Sequence, residues 1–244
     1  MTSPGNAPGR FLSASWRFLA LVNYQIDRDV LQPFVPRGTE LEAFEGRTYV
    51  SVVGFRFLDT RVLGLAIPFH RDFEEVNLRF YVRRLGPEGW RRGVVFLREI
   101  VPRRAIAAVA RAVYNEPYVS RRMSHRIDLP AGSGLVEYSW QEGARRNCLR
   151  VRMRGEAQPL VPGSAEEFIT EHYWGYARQR DGGCVEYRVE HVPWRVWQTR
   201  EAVLDCDVAR SYGAAFSACL GAAPSSAFVA DGSPVVVRRG TRIP

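Results

Sequence analysis

Glu75, Asn77, Arg79 and Tyr81 occupy alternate positions of the run Glu75-Val76-Asn77-Leu78-Arg79-Phe80-Tyr81-Val82-Arg83. Side chains of an extended strand point alternately to its two faces. A carboxylate, an amide, a guanidinium and a phenol therefore share one side, and Val76, Leu78, Phe80 and Val82 share the other. A glutamate desolvated beside apolar walls holds its proton to higher pH and can serve as a general acid or base. A cross-strand ion pair with an arginine is the competing role, and the pattern leaves both open.

Arginine is abundant and lysine is absent: all 34 basic residues are arginine. This excludes a lysine Schiff base, a lysine general base and a P-loop lysine. The net charge of +8 raises the question of nucleic acid. The arginines are spread along the chain in pairs such as Arg83-Arg84, Arg121-Arg122 and Arg238-Arg239, interleaved with acids and without a basic tail. Such diffuse charge is a weak footprint, and no nucleic-acid partner is expected.

Metal and nucleophile signatures are missing. His70, His125, His172 and His191 have no ligand spacing, and Cys148, Cys184, Cys206 and Cys219 form no C-x-x-C. Asp205-Cys206-Asp207 sets two carboxylates on one strand face, which alone does not make a cation site. Neither a G-x-S-x-G elbow nor a glycine-rich phosphate loop occurs. No metal and no cofactor are expected. The uncharged stretch 211–230 is rich in Ala, Ser and Gly and contains Pro224, so no membrane span is expected. Residues 1–10 lack the apolar segment of a secretory signal, and a cytoplasmic location is expected.

The elements that must hold these residues are mostly strands. Period-two runs fall at 14–24, 48–57, 75–83, 90–101, 118–127, 134–141, 147–154, 185–190, 194–207 and 234–239, separated by short Gly/Pro turns. On strand 90–101 neither face is purely apolar, so alternation does not decide whether Arg98 or Glu99 turns inward. Helices are few. Asp27 caps a short one through Phe34, one follows Pro102 over Arg103–Tyr114, and one spans Glu166–Arg178 with Ser164 as its cap. The fold class is mainly β (α+β), an antiparallel barrel or sandwich with a few short helices. The expected organisation is a disordered leader over 1–10 and a single β domain over 11–244.

Three segments resemble the acetoacetate decarboxylase-like superfamily: Asn23-Tyr24-Gln25-Ile26-Asp27 through Val35-Pro36, then Arg98-Glu99-Ile100-Val101-Pro102-Arg103-Arg104, then Asn115-Glu116-Pro117-Tyr118-Val119. The likeness to its uncharacterised YqjF-like branch is broader, running from about Phe11 to Arg242. It includes Pro68-Phe69-His70, the run Phe73–Arg83 and Thr170-Glu171-His172-Tyr173-Trp174. In the decarboxylases the second segment leads to two adjacent lysines, one forming the Schiff base. Arg103 and Arg104 match them here. A guanidinium keeps its proton and forms no imine, so the resemblance carries the fold but not that mechanism.

The resemblance implies an acetoacetate decarboxylase-like cone or barrel with an interior cavity, and it admits a homo-oligomer. On it, Arg103 or Arg104 clamps a carboxylate or phosphate, with a solvated surface pair as the competing role. Glu75 matches a cavity glutamate of the decarboxylases and is the candidate acid or base. Arg98, Asn77, Arg79 and Tyr118 complete the expected ligand-binding set. The expected function is to bind a small anionic organic molecule, with or without a non-covalent lyase, hydratase or isomerase step. The rival is a non-catalytic sensor, or a scaffold whose barrel is filled by side chains.

Overall fold

A computed structural model of the chain describes residues 9–107 and 115–243. Residues 1–8 and 108–114 lie outside it, and with them most of the expected leader and the latter part of the expected 103–114 helix. The strands are β1 (Arg10–Ile26), β2 (Glu40–Leu41), β3 (Thr48–Val62), β4 (Leu65–Ala66), β5 (Phe73–Gly86), β6 (Gly89–Val101), β7 (Tyr118–Ser120) and β8 (Met123–Asp128). They continue with β9 (Ser133–Glu142), β10 (Arg145–Pro159), β11 (Trp174–Arg178), β12 (Cys184–Glu190), β13 (Arg195–Asp205), β14 (Ser226–Arg238) and β15 (Thr241–Ile243). The mainly β expectation therefore holds, and all strands belong to one sheet.

The path β12-β11-β6-β5-β3-β1-β14 returns on itself, because β14 also pairs with β12 through Val189↔Val237 and Glu190↔Val236. Closure removes most free edges and encloses an interior. From β14 the sheet continues through β13, β10, β9 and β8. This wing packs Tyr138, Trp140, Leu149 and Val151 against Val22, Val50 and Val52 of the ring's outer face. Most pairings are antiparallel, as expected. β6 departs from that pattern and runs parallel to both β11 and β7.

Two bulges set which side chains face inward. Between β5 and β6 the register passes from Leu78↔Arg98 to Arg79↔Phe96, so Leu97 is an extra residue. The phase of β6 flips there. Val94 and Phe96 pack in the interior cluster with Val101, while Val95, Leu97 and Ile100 pack under the wing. A similar shift between Arg17 and Ala20 of β1 contains Phe18 at φ 56.

The helices are short. Asp27 caps α1 (Arg28–Leu31) by accepting from the Asp29 amide at 2.9 Å. Residues 104–107 begin the helical turn after Pro102. Ser164 caps α2 (Ala165–Thr170), its Oγ accepting from the Glu167 amide at 3.1 Å. The expected helix over Glu166–Arg178 is corrected here. It stops at Thr170, and Trp174–Arg178 forms β11, because those residues pair with both β12 and β6.

Candidate functional site

The interior holds a hollow of about 300 Å³. Its walls are largely apolar, including Leu19, Val53, Phe55, Phe57, Phe73 and Phe96. The polar lining is concentrated in Glu75, Asn77, Arg79, Glu99, Glu116 and Tyr118, with His172 and Tyr187. An apolar chamber with a few convergent polar groups is the usual form of a small-molecule site.

Strand register explains this convergence. Phe55 and Val53 of β3 stand opposite Glu75 and Asn77. Asn77 stands opposite Glu99 of β6, and Glu99 opposite Tyr118 of β7. Directly opposed residues share a face. The bulge at Leu97 is what brings Glu99 to the same side as Phe96.

Glu75 is almost fully buried and accepts from Asn77 Nδ2 and from the Tyr118 hydroxyl, each at 3.0 Å. Among the described residues no arginine lies within ion-pair distance of Glu75. Burial pushes its carboxyl up to about 7, against the hydrogen bonds from Asn77 and Tyr118 and the positive charge of Arg79. Glu116 accepts from the Tyr187 hydroxyl at 2.8 Å, and burial pushes it up to about 8. Glu99 is raised well above the usual range by burial and then by the charges of Glu116 and Glu75. Three buried carboxyls with raised pKa values near one another hold protons at neutral pH, and a group near 7 both gives and takes one.

Arg79 is the only arginine among the described lining residues. It is buried, and its Nη2 donates to the Ile169 carbonyl at 3.2 Å. Among the described residues its Nε is enclosed without a hydrogen-bond partner, as are Asn77 Oδ1, Glu99 Oε2 and His172 Nδ1.

Of the residues expected from sequence, Glu75, Asn77, Arg79 and Tyr118 come together in the cavity. Arg103, Arg104 and Arg98 do not. Arg103 and Arg104 are exposed and line an outer groove with Asp72, Glu74, Arg121 and Arg122. This corrects the expected clamp: the segment resembles the decarboxylases, but its two guanidinium groups face solvent, where a long cationic side chain costs least to place. Arg98 stands opposite Leu78 on the far side of the sheet, beside Tyr212.

Glu99, Glu116, His172 and Tyr187 complete the site. Glu116 precedes β7 in a connection without strand periodicity, and Tyr187 shares the alternation of Val185 and Val189 with no mark of a polar role. Asp205 ion-pairs with Arg145 at 2.6 Å, and Asp207 caps the helix Val208–Ser211 through the Arg210 amide. Many other arginines hold acids on the surface, such as Arg83 with Glu40 and Arg238 with Glu190.

Residues 13–234, which include every cavity residue named above, match the family DUF2071, an uncharacterized conserved protein family. The chain belongs to this family. It is 25% identical over 183 residues to the uncharacterized protein YqjF of Bacillus subtilis (strain 168), covering 74% of this chain and 72% of that protein. The sequence is thus similar to YqjF, and the fold is similar to that of acetoacetate decarboxylase-like enzymes. Acetoacetate decarboxylase from Legionella pneumophila superposes with a TM-score of 0.66 at 15% identity, over 100% of this chain and 92% of that one. The enduracididine biosynthesis enzyme MppR, solved with pyruvate, superposes with a TM-score of 0.66 at 14% identity, over 98% and 92%. An acetoacetate decarboxylase-like enzyme from Sphingomonas wittichii RW1 gives 0.63 at 12% identity, over 100% and 97%. These likenesses establish the fold. No helix among the described residues is long and apolar enough to cross a membrane.

Proposed function

We propose that this DUF2071 protein binds a small organic anion with an apolar body in its interior cavity, and that Glu75 acts there as acid or base without a covalent step. The observation that carries the reading is Arg79, one buried guanidinium on the wall of an otherwise apolar chamber that also holds three protonatable glutamates. A guanidinium removed from water binds a carboxylate strongly because water no longer competes. With their raised pKa values, Glu99 and Glu116 stay largely neutral near pH 7 and do not repel such a ligand. MppR, which shares the fold, has been solved with pyruvate, itself an organic anion.

The chemistry within reach is proton transfer. Glu75, near half ionisation at neutral pH, can take a proton from a bound molecule or return one, with the Tyr118 hydroxyl as its neighbour. Lysine is absent, so no imine forms. A second reading, binding without turnover, is favoured by one observation: both oxygens of Glu75 are already hydrogen-bonded within the fold.

A thermal-shift screen of small carboxylates tests the binding. The expected result is a rise in melting temperature that is lost in Arg79→Met and kept in Arg103→Ala and Arg104→Ala. Loss in the Arg103 or Arg104 variant, with retention in Arg79→Met, sinks the reading. Proton exchange of a bound ligand with solvent deuterium, abolished in Glu75→Gln, separates catalysis from binding alone.

A further inference from the structure

His172 lies between α2 and β11, its side chain buried and on the cavity wall. Its Nε2 sits 2.9 Å from Glu42 Oε2. The other oxygen of Glu42 accepts from Arg92 Nε at 2.6 Å, and Arg92 Nη2 donates to the Phe168 carbonyl at 3.2 Å. Burial works to raise the Glu42 carboxyl, but His172 and Arg92 together hold it below its usual value. A carboxylate only accepts, so His172 Nε2 carries the proton and Nδ1 presents a lone pair. A second proton on the ring is opposed by burial and by the charges of Arg92 and Arg79, which outweigh the favourable Glu42 and push the ring down to about 4.

The Nδ1 lone pair has no hydrogen-bond partner among the described residues. Arg79 lines the same cavity, and its charge acts on the ring. The His172 ring packs on Tyr81 at 4.7 Å between centroids, and the Arg79 guanidinium carbon lies 5.8 Å from the same Tyr81 ring. Arg79 Nε is likewise enclosed and unpartnered. An unanswered acceptor and an unanswered donor therefore flank the same ring on the wall of one mostly apolar chamber. Buried polar atoms are nearly always paired, so two such atoms on one cavity wall mark a place for polar groups of a ligand.

We propose that His172 Nδ1 accepts a hydroxyl proton from the bound molecule while Arg79 holds its carboxylate, so that the cavity selects 2-hydroxy acids. This rests on the organic-anion reading above and adds the substituent beside the carboxylate. A hydroxyl supplies the missing proton. An acid without it leaves Nδ1 unanswered, and a keto oxygen sets one lone pair against another. Glu42 and Arg92 are positioning residues, since they act only by fixing the ring's tautomer.

Calorimetric titration with 2-hydroxy-4-methylpentanoate, 4-methylpentanoate and 4-methyl-2-oxopentanoate tests the assignment. For the wild-type chain the hydroxy acid is expected to bind at least about tenfold more tightly than either of the others. In His172→Phe the three should bind within about threefold of one another. Glu42→Gln keeps the ring in place and is the second variant. Arg92 Nε favours the amide oxygen on its side, so the amide NH2 faces Nε2, and the ring proton moves to Nδ1. The keto oxygen can then accept from Nδ1, so the keto acid should rise to match the hydroxy acid, whose hydroxyl oxygen now accepts instead of donating. Equal binding of hydroxy and unsubstituted acids to the wild type, a hydroxyl preference that survives in folded His172→Phe, or a keto acid that gains nothing relative to the hydroxy acid in folded Glu42→Gln, overturns the assignment. Binding of none of the three overturns the organic-anion reading instead.

Discussion

Asn77 and Glu99 stand opposite one another across β5 and β6, and both face the cavity because Leu97 is bulged out of the register between them. That one extra residue adds a third buried carboxyl to Glu75 and Glu116. Three such groups cannot all ionise cheaply in a dry chamber, which ties the stability of the fold to their protons.

The pH dependence of stability follows. A free glutamate carboxyl titrates near 4.5, and Glu75 in the fold near 7. Between those values the folded chain binds more protons than the unfolded one. The contribution of Glu75 is therefore full below about 4.5 and is lost as pH rises through about 7. Glu116 extends the same loss to about 8. Urea unfolding should show stability falling from pH 5 to pH 8, with Glu75→Gln removing roughly 3 kcal/mol of that fall. Asn77 can turn its amide to suit the glutamine. An unchanged slope in the variant contradicts the raised pKa.

Tyr187→Phe removes the hydroxyl that Glu116 accepts from at 2.8 Å. The bond is stronger to an ionised carboxyl than to a neutral one. The variant should lose about 1–2 kcal/mol, more at pH 9 than at pH 6, by denaturant titration at the two pH values. A loss independent of pH assigns the hydroxyl a packing role only.

Gly175 lies opposite Tyr187 on β11, and a Cβ there would stand 2.1 Å from Tyr187 Cζ. Gly175→Ala must displace that ring and with it the bond to Glu116. We expect a loss of about 1–3 kcal/mol and a weaker response to added carboxylates. Wild-type stability in this variant contradicts the placement of Tyr187.

The legible part of the molecule is the part governed by simple alternation. Val76, Leu78, Phe80 and Val82 against Glu75, Asn77 and Arg79 separates the two faces of β5 before any coordinates exist, and the capping residues Asp27 and Ser164 mark their helices. Glu99 was ambiguous because a bulge resets parity without a sequence signal of its own. The helix expected over Glu166–Arg178 ends at Thr170 because pairing of Trp174 and Gly175 with β6 is a tertiary contact that periodicity does not carry. Arg103 and Arg104 show the limit of resemblance, since two matched positions do not tell which way their side chains turn. Glu42, Arg92 and His172 lie far apart in the chain, and only folding joins them.

The central claim, that an anion enters beside a glutamate poised to protonate, is tested most directly by proton uptake on binding. Titration of 2-hydroxy-4-methylpentanoate at pH 7.5 in buffers of differing ionisation enthalpy measures it. A carboxylate placed beside Glu75 makes its ionised form less favourable, so wild-type protein should take up a fraction of a proton, and Glu75→Gln should take up much less. Binding with no uptake, or uptake unchanged in Glu75→Gln, contradicts the account.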